Sequence, residues 1–457
     1  MDFTRRDALG LLGAGAAASL LAPHARGQEA TPPTLPSPNR PAPRPLSKPI
    51  TTIICGYGGR GGLYGYYATQ MPDTWKVVGV AEPISYRRIA AQDRHGLATD
   101  QTWLDFRDVL DGPKRADTVT IGLPDKLHYE AALMALDAGY DLLLEKPIAQ
   151  NYRQVEEIAQ KAERLGRIVA VCHVLRYAPY FVQLKAVIES GMIGDVVSIQ
   201  HMEPIHHLHF AHSYVRGPWH KESDSTPSLL AKSCHDLDLI HWWVDKKCTK
   251  VSSMGGLKKY SRAYKPEGAP RQCLDGCPAA DTCIYHAGKV YVEKKMWSTH
   301  HIITADRSDE SILLQLRQGQ YGRCVYQHEN DVCDHQVVNM EFEGGATAAF
   351  SMEACTSYGG RRTRVMGSKG DIVGDEQFLD VSIFDTGQHI RWDVNAQGLD
   401  LSGHGGGDQR LVIDFCQAVA ARDDSDLATR IENSLPSHRI GYAAEDSRRR
   451  GGQVIRL

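Results

Sequence analysis

Thr51-Thr52-Ile53-Ile54-Cys55 runs directly into Gly56-Tyr57-Gly58-Gly59-Arg60-Gly61, and this stretch decides how the chain is read. The first five residues, largely β-branched, predict a short buried strand. The G-x-G-x-x-G that follows predicts a tight turn into a helix over 62–70. In that setting the first glycine permits the turn and the second lets a pyrophosphate approach the backbone. The third packs helix against strand, while the helix N-terminus offers partial positive charge to the phosphates. A second strand is predicted over 76–80. It ends in Ala81-Glu82, at the spacing where a carboxylate meets the hydroxyls of an adenosine ribose. A carboxylate there favours NAD over NADP, because it repels a 2′-phosphate. A glycine-rich turn without a ligand would have the same letters, so the context carries the weight.

The context is a sustained alternation. Helices are predicted over 85–95, 128–138 and 154–165, with strands over 118–122, 141–144 and 168–172. Strand–helix alternation at this pace implies a doubly wound parallel sheet covered on both faces, the α/β class.

Composition sets the limits. The 457 residues are 42% hydrophobic and 23% charged, with net charge −3, an ordinary globular mix sized for two or three domains. No basic field invites nucleic acid. The one long apolar run, 9–21, is short for a membrane span and lies at the extreme N-terminus. Thr4-Arg5-Arg6-Asp7 precedes a mild core, Ala8-Leu9-Gly10-Leu11-Leu12-Gly13, and Ala25-Arg26-Gly27 offers small residues for cleavage. Residues 1–30 therefore read as a twin-arginine (Tat) export signal. That implies passage through the Tat translocase to the periplasm or another extracytoplasmic place; a general secretory signal or a plain amphipathic start is the alternative. Residues 31–49 are Pro-rich and read as an extended linker with little to bury.

At Leu144-Glu145-Lys146-Pro147 a more specific motif appears. Together with the glycine loop, Leu123-Pro124-Asp125-Lys126-Leu127-His128 and Cys234-His235-Asp236-Leu237-Asp238, it resembles the glucose–fructose oxidoreductase, inositol dehydrogenase and rhizopine catabolism (Gfo/Idh/MocA) family. The resemblance implies a Rossmann domain over 50–175 and a C-terminal α/β domain over 176–457, built on a large, mostly antiparallel sheet. It also implies a sugar or cyclitol held between the two, near the nicotinamide, and a homo-oligomer, dimer or tetramer. Carried over residue by residue, the cofactor positions are Gly56, Gly58, Arg60, Gly61, Glu82, Pro124, His128, Glu145 and Lys146. Lys146 is a sensible catalytic residue on its own terms: it follows a parallel strand, where ligands of doubly wound folds bind, and it can take a hydroxyl proton. The family's D-x-x-x-H arrangement puts the acid/base histidine at His235. Its aspartate falls on Ala231, with Lys232 beside it, so the proton relay must differ here.

The second half carries the polar clusters. Glu203 to Trp219 is dense in His, Tyr, Arg and Trp, poor core material but good sugar-pocket material. His209, His212, Tyr214, Arg216 and Trp219 are candidate substrate residues, with Tyr177, Lys232 and His404; a solvated His-rich loop is the competing reading. One amphipathic helix is expected over 228–243. Cys273, Cys277 and Cys283, with His286 nearby, could form a structural zinc site in an insert over about 270–290. Disulfides compete with that, although eleven cysteines cannot all pair within one chain. Strand-like alternation dominates over 313–385, with a hairpin signal at Gly344-Gly345. Gly403-His404-Gly405-Gly406-Gly407-Asp408 precedes a last helix over 409–421, and His404 in so flexible a loop could close over a substrate or stay exposed.

These readings imply an NAD(P)-dependent oxidoreductase acting on a sugar by hydride transfer. An exported enzyme has no sizeable free NAD pool, so tightly bound, internally recycled NAD is expected. NAD-dependent glycoside hydrolysis, through oxidation, elimination, addition and reduction, is the alternative. A non-catalytic exported sugar-binding protein is a second.

Overall fold

The computed structural model describes residues 34–296, 305–327 and 329–457. The export signal read over 1–30 lies outside them. The first sheet contains β1 (Ile50–Cys55), β2 (Trp75–Ala81), β3 (Thr102–Trp103), β4 (Thr118–Ile121), β5 (Asp141–Leu144) and β6 (Val169–Val171). Their order is β3-β2-β1-β4-β5-β6 and every neighbouring pair is parallel. β1, β4 and β5 lie at the centre and are almost wholly buried, as strands covered by helices on both faces must be. Local chemistry sets the helix ends. Asn151 caps the helix Tyr152–Leu165 by accepting from the Gln154 amide, and Gly166 closes it in a left-handed turn.

The second sheet contains β7 (Val196–Pro204), β8 (Cys248–Gly256), β9 (His335–Phe342), β10 (Thr347–Glu353), β11 (Arg362–Gly367), β12 (Gly370–Gly374), β13 (Phe378–Ile383), β14 (Gln388–Asp393) and β15 (Ile455–Arg456). Its order is β14-β13-β12-β11-β7-β10-β9-β8-β15, antiparallel except for the β7–β10 pair. Gly344 and Gly345 make the β9–β10 turn with φ of 84° and 90°, which explains the paired glycines.

Three features depart from the sequence reading. The linker does not hang free from residue 35 onward: Leu35 and Leu46 pack against the core. Arg40 stacks on the Tyr177 ring at 4.8 Å and donates to the carbonyl of Arg176, and Pro36 accepts from Gln183. A proline-rich chain is already extended, so little entropy opposes its docking as a strap. The helix expected over 228–243 is two, Ser228–Ala231 and Cys234–Val244, broken at Lys232, whose ammonium pairs with Glu203 at 3.0 Å. Finally, residues 402–430 return to the first half. Phe415 packs on Trp75 at 6.1 Å between ring centroids, and Thr429 accepts from Val171 along the outer edge of β6. Among the described residues no helix is long and apolar enough to cross a membrane.

Candidate active site

The glycine turn is a cradle that side chains would fill. Gly56 has φ +87°, and a Cβ there would stand 2.6 Å from the Gly122 carbonyl oxygen. At Gly61 a Cβ would stand 1.9 Å from the Gly56 carbonyl oxygen, so the third glycine sets how closely the helix Gly59–Gln70 seats on β1. Around Gly58 only the Arg87 guanidinium comes near, which leaves the backbone open for a pyrophosphate. Glu82 is buried at the end of β2, accepting from the Tyr57 amide at 2.7 Å and the Ile84 amide at 2.9 Å. Its carboxylate thus rigidifies the turn as well as offering an acceptor there. Pro124 begins the turn after β4. His128, at the start of the helix His128–Asp137, bonds the carbonyls of Leu123 and Pro147 through its two ring nitrogens. It is a buried brace between two loops at the sheet's C-terminal edge, so the direct cofactor role implied by resemblance gives way to a supporting one.

Glu145 and Lys146 follow β5 and face different ways. The Glu145 carboxylate meets Arg60 and accepts from the Tyr64 hydroxyl at 2.6 Å. Burial resists its ionisation, yet Arg60, Tyr64 and Lys146 hold the carboxyl below its ordinary range. Arg60 also pairs with Asp408 at 2.7 Å, so it is an internal bridge between three loops rather than a free phosphate ligand. The Lys146 ammonium donates to the Ala231 carbonyl at 2.6 Å. Where the family pattern has an aspartate side chain, this chain therefore supplies a backbone oxygen.

His235 begins the second helix of the broken pair, beside Lys146. Burial first, then Lys146, His173, His404 and Arg361, push its ring well below the ordinary histidine value. It is neutral at neutral pH. Its ring lies 5.8 Å from His173 and 6.0 Å from His404, with His438 5.5 Å beyond His173, a row of four imidazoles. His173 is held down to about 3, mainly by burial, and neither of its nitrogens has a hydrogen-bond partner. Asp238, three residues after His235, instead grips Arg176 through both oxygens.

His404 arrives on the strap Gly403–Gly406, four successive residues with positive φ. Its Nδ1 meets Asp408 Oδ2 at 2.8 Å, and the Asp408 side chain is completely buried. Burial opposes ionisation of that carboxyl, but His404 and Arg60 outweigh it and hold it at about 2. A buried carboxylate orienting an exposed imidazole is the arrangement of a general acid/base pair. Sequence reading singled out His404 but missed Asp408 and His173; the Asp four residues after a glycine-flanked His was the available signal.

The remaining candidates divide. His209, Tyr214 and Trp219 form an aromatic run, with ring centroids 6.4 Å and 5.9 Å apart, and Trp219 Nε1 donates to Asp125 beside the cofactor turn. Lys232 belongs to a charged cluster in which Glu203 also pairs with Arg361, and Arg361 with Asp236. Tyr177, His212 and Arg216 correct the sequence reading, because each is buried in structural bonds. Tyr177 pairs with Thr429, His212 with Tyr291, and Arg216 with the carbonyls of Arg323 and Tyr285. A His/Tyr/Arg-rich stretch looks the same whether its polar ends face a ligand or the protein's own backbone. Among the described residues no three His, Cys, Asp or Glu side chains already stand in a metal-ligating arrangement, so the zinc expectation has no support at that level. All eleven cysteines are free thiols.

Parallel sheet, glycine cradle and a polar site against a second α/β domain define a dinucleotide-binding protein of the Rossmann class. The chain belongs to the Gfo/Idh/MocA oxidoreductase family: residues 50–173 match its NAD-binding Rossmann fold and 185–455 its C-terminal α/β domain. It is 26% identical over 321 residues to YteT of Bacillus subtilis, a protein named only provisionally as an oxidoreductase, covering 66% of this chain and 72% of that one. To the inositol 2-dehydrogenase/D-chiro-inositol 3-dehydrogenase of Lactiplantibacillus plantarum it is 28% identical over 193 residues, 42% of this chain and 51% of that one. The fold is shared with an inositol dehydrogenase homolog from Azotobacter vinelandii solved with NADH and myo-inositol, at TM-score 0.64 and 17% identity over 91% of this chain and 99% of the other.

Proposed function

We propose that the protein is an NAD-dependent oxidoreductase acting on a sugar or sugar derivative, with NAD retained through each cycle. The observation that carries this reading is the convergence of Lys146, His235 and the Asp408-held His404 beside the glycine cradle. When bound, NAD accepts the hydride released from a C–H bond of the substrate. The backbone around Gly58, in the turn that Gly56 and Gly61 shape, would hold its phosphates, and Glu82 at the end of β2 would serve the ribose hydroxyls. Lys146 hydrogen-bonds the reacting hydroxyl, and neutral His235 helps to align it. His404, whose Nδ1 is held by the buried Asp408 carboxylate, accepts the hydroxyl proton, because that carboxylate orients its ring. His209 and Trp219, both partly exposed, offer ring faces to the sugar, with the buried Tyr214 packed behind them. Export by the Tat route and assembly into a homo-oligomer belong to the same proposal.

NAD-dependent glycoside hydrolysis is the second reading. Two proton-handling groups on different elements, Lys146 with His235 and His404 with Asp408, suit a cycle in which one group serves the oxidised carbon and another protonates the leaving oxygen. The decisive experiment denatures protein purified without added nucleotide and quantifies released NAD(H) and NADP(H) by mass spectrometry. Near-stoichiometric NAD supports the retained-cofactor reading; protein that is empty and fails to bind added NAD refutes it. Cleavage of an aryl glycoside without added cofactor then selects hydrolysis over dehydrogenation.

A further inference from the structure

His173 sits inside the row of imidazoles with nothing to bond. It follows β6, immediately before the short turn Val174–Tyr177, and is 1% exposed. Among the described residues neither of its ring nitrogens has a hydrogen-bond partner. A neutral imidazole always carries one N–H donor and one lone pair, so this ring leaves a donor and an acceptor unsatisfied in the interior. That is costly, and a ring that only filled space would be more stable as phenylalanine.

The neighbours restrict what each nitrogen can do. Asp238 Oδ1 stands 3.9 Å from His173 Nε2. Arg176 donates to both Asp238 oxygens, at 2.7 Å and 2.8 Å, and keeps that carboxyl ionised. The carboxylate attracts an N–H and repels a lone pair, so His173 carries its proton on Nε2 and its lone pair on Nδ1. His438, 5.5 Å away on the helix Ile431–Arg449, has no use for that lone pair. Its Nδ1 donates to the Ser434 carbonyl at 3.0 Å and its Nε2 accepts from the Ile148 amide at 3.1 Å. His235 does have a use for it. Its ring meets His173 edge-on at 5.8 Å, and its Nδ1 is likewise buried without a partner among the described residues. The other groups facing His235 are committed elsewhere: Lys146 to the Ala231 carbonyl, Arg361 to Glu203 and Asp236, and His404 to Asp408. Ala231, where the family pattern has an aspartate, brings no side-chain acceptor.

We propose that His173 is a positioning residue for His235: with its Nε2–H turned to Asp238, it accepts from the His235 Nδ1–H and leaves the His235 Nε2 with its lone pair for the substrate. The two Nδ1 atoms meet after a small turn of either ring, or through one water. Asp238 and His173 together thus take the place of the aspartate that Ala231 lacks. The proposal rests on the reading of His235 as a residue that aligns the substrate. As an acceptor, His235 holds a substrate hydroxyl that His404 is not deprotonating, and no proton changes owner in that alignment.

Nitrogen-15 NMR of the whole protein, labelled at histidine, reads the tautomers directly. His235 and His173 are assigned from the signals lost in His235→Asn and His173→Phe. Free neutral imidazole in water prefers the Nε2–H form, so an Nδ1–H form at His235 requires a partner. Wild type should show N–H-type shifts at His235 Nδ1 and His173 Nε2, and a lone-pair-type shift at His235 Nε2. His173→Phe, which keeps the ring volume, should return His235 to the Nε2–H form. His173→Asn, whose amide oxygen can lie where Nδ1 was, should restore the wild-type pattern, which a merely space-filling role does not predict. If a variant fails to fold, the wild-type pattern alone decides. The measurement needs neither substrate nor nucleotide, so a protein that binds no NAD yet shows this pattern refutes the oxidoreductase reading and leaves the His173–His235 link standing. A proton on His235 Nε2 in wild type, or an unchanged His235 pattern in folded His173→Phe, would overturn the proposal.

Discussion

Replacing Asp408 by Asn keeps its shape and most of its hydrogen bonds but removes one buried negative charge. The carboxyl is held at about 2 against an ordinary 3.8, because His404 and Arg60 outweigh the burial that opposes ionisation. At about 1.4 kcal/mol per decade, that difference is worth roughly 2.5 kcal/mol of preference for the charged form. The folded value lies below the unfolded one. The contribution is therefore fully present above about pH 4 and disappears as pH falls toward about 2. Asp408→Asn should lower stability by about 2 kcal/mol at neutral pH and by almost nothing near pH 2, as read from urea unfolding of both proteins at several pH values. Turnover should fall further than stability does. His404 loses the carboxylate that orients it, an effect of about 10²- to 10⁴-fold in comparable pairs. Equal destabilisation at neutral and acid pH would show that the charge is not what matters. Unchanged turnover in the folded variant would remove His404 from the proton pathway.

Lys146→Ala should abolish turnover by about 10²-fold or more while NAD released on denaturation stays near the wild-type level, since the lysine meets Ala231 and the substrate space rather than the glycine cradle. Gly61→Ala should strip the protein of NAD, because the new Cβ would stand 1.9 Å from the Gly56 oxygen; mass spectrometry of the denatured protein checks this. Arg40→Ala should loosen the N-terminal strap at a cost of about 1–3 kcal/mol, by loss of its bonds to the 176–177 backbone. Limited proteolysis should then cut the variant near residues 40–44 while sparing wild type.

The first sheet was almost wholly legible in the sequence. Its strands are short apolar runs with helices between them, and both signals depend on neighbours a few residues apart. Only β3, two residues long, and the edge contact at Thr429 escaped, because neither has enough length to show a period. Lys146 and Glu145 were legible for a related reason: they sit in one contiguous motif at a strand end. The candidate substrate residues were less so. Residue type marks Arg216 and Tyr177 as able to bind hydroxyls, but direction decides whether they do, and both point into the protein.

The sequence by itself determined the class of fold and the glycine turn, since both rest on local spacing and backbone conformation; Lys146 and His235 came as candidates from the resemblance to the family, and His404 from its glycine-rich setting. Only the tertiary structure decided what these groups do to one another. It set Ala231's carbonyl under Lys146, Asp408 behind His404, and Arg60 between Glu145 and Asp408. Those pairings join residues from tens to hundreds of positions apart in most cases. They depend on burial and charge compensation in the packed interior, which no period in the chain encodes.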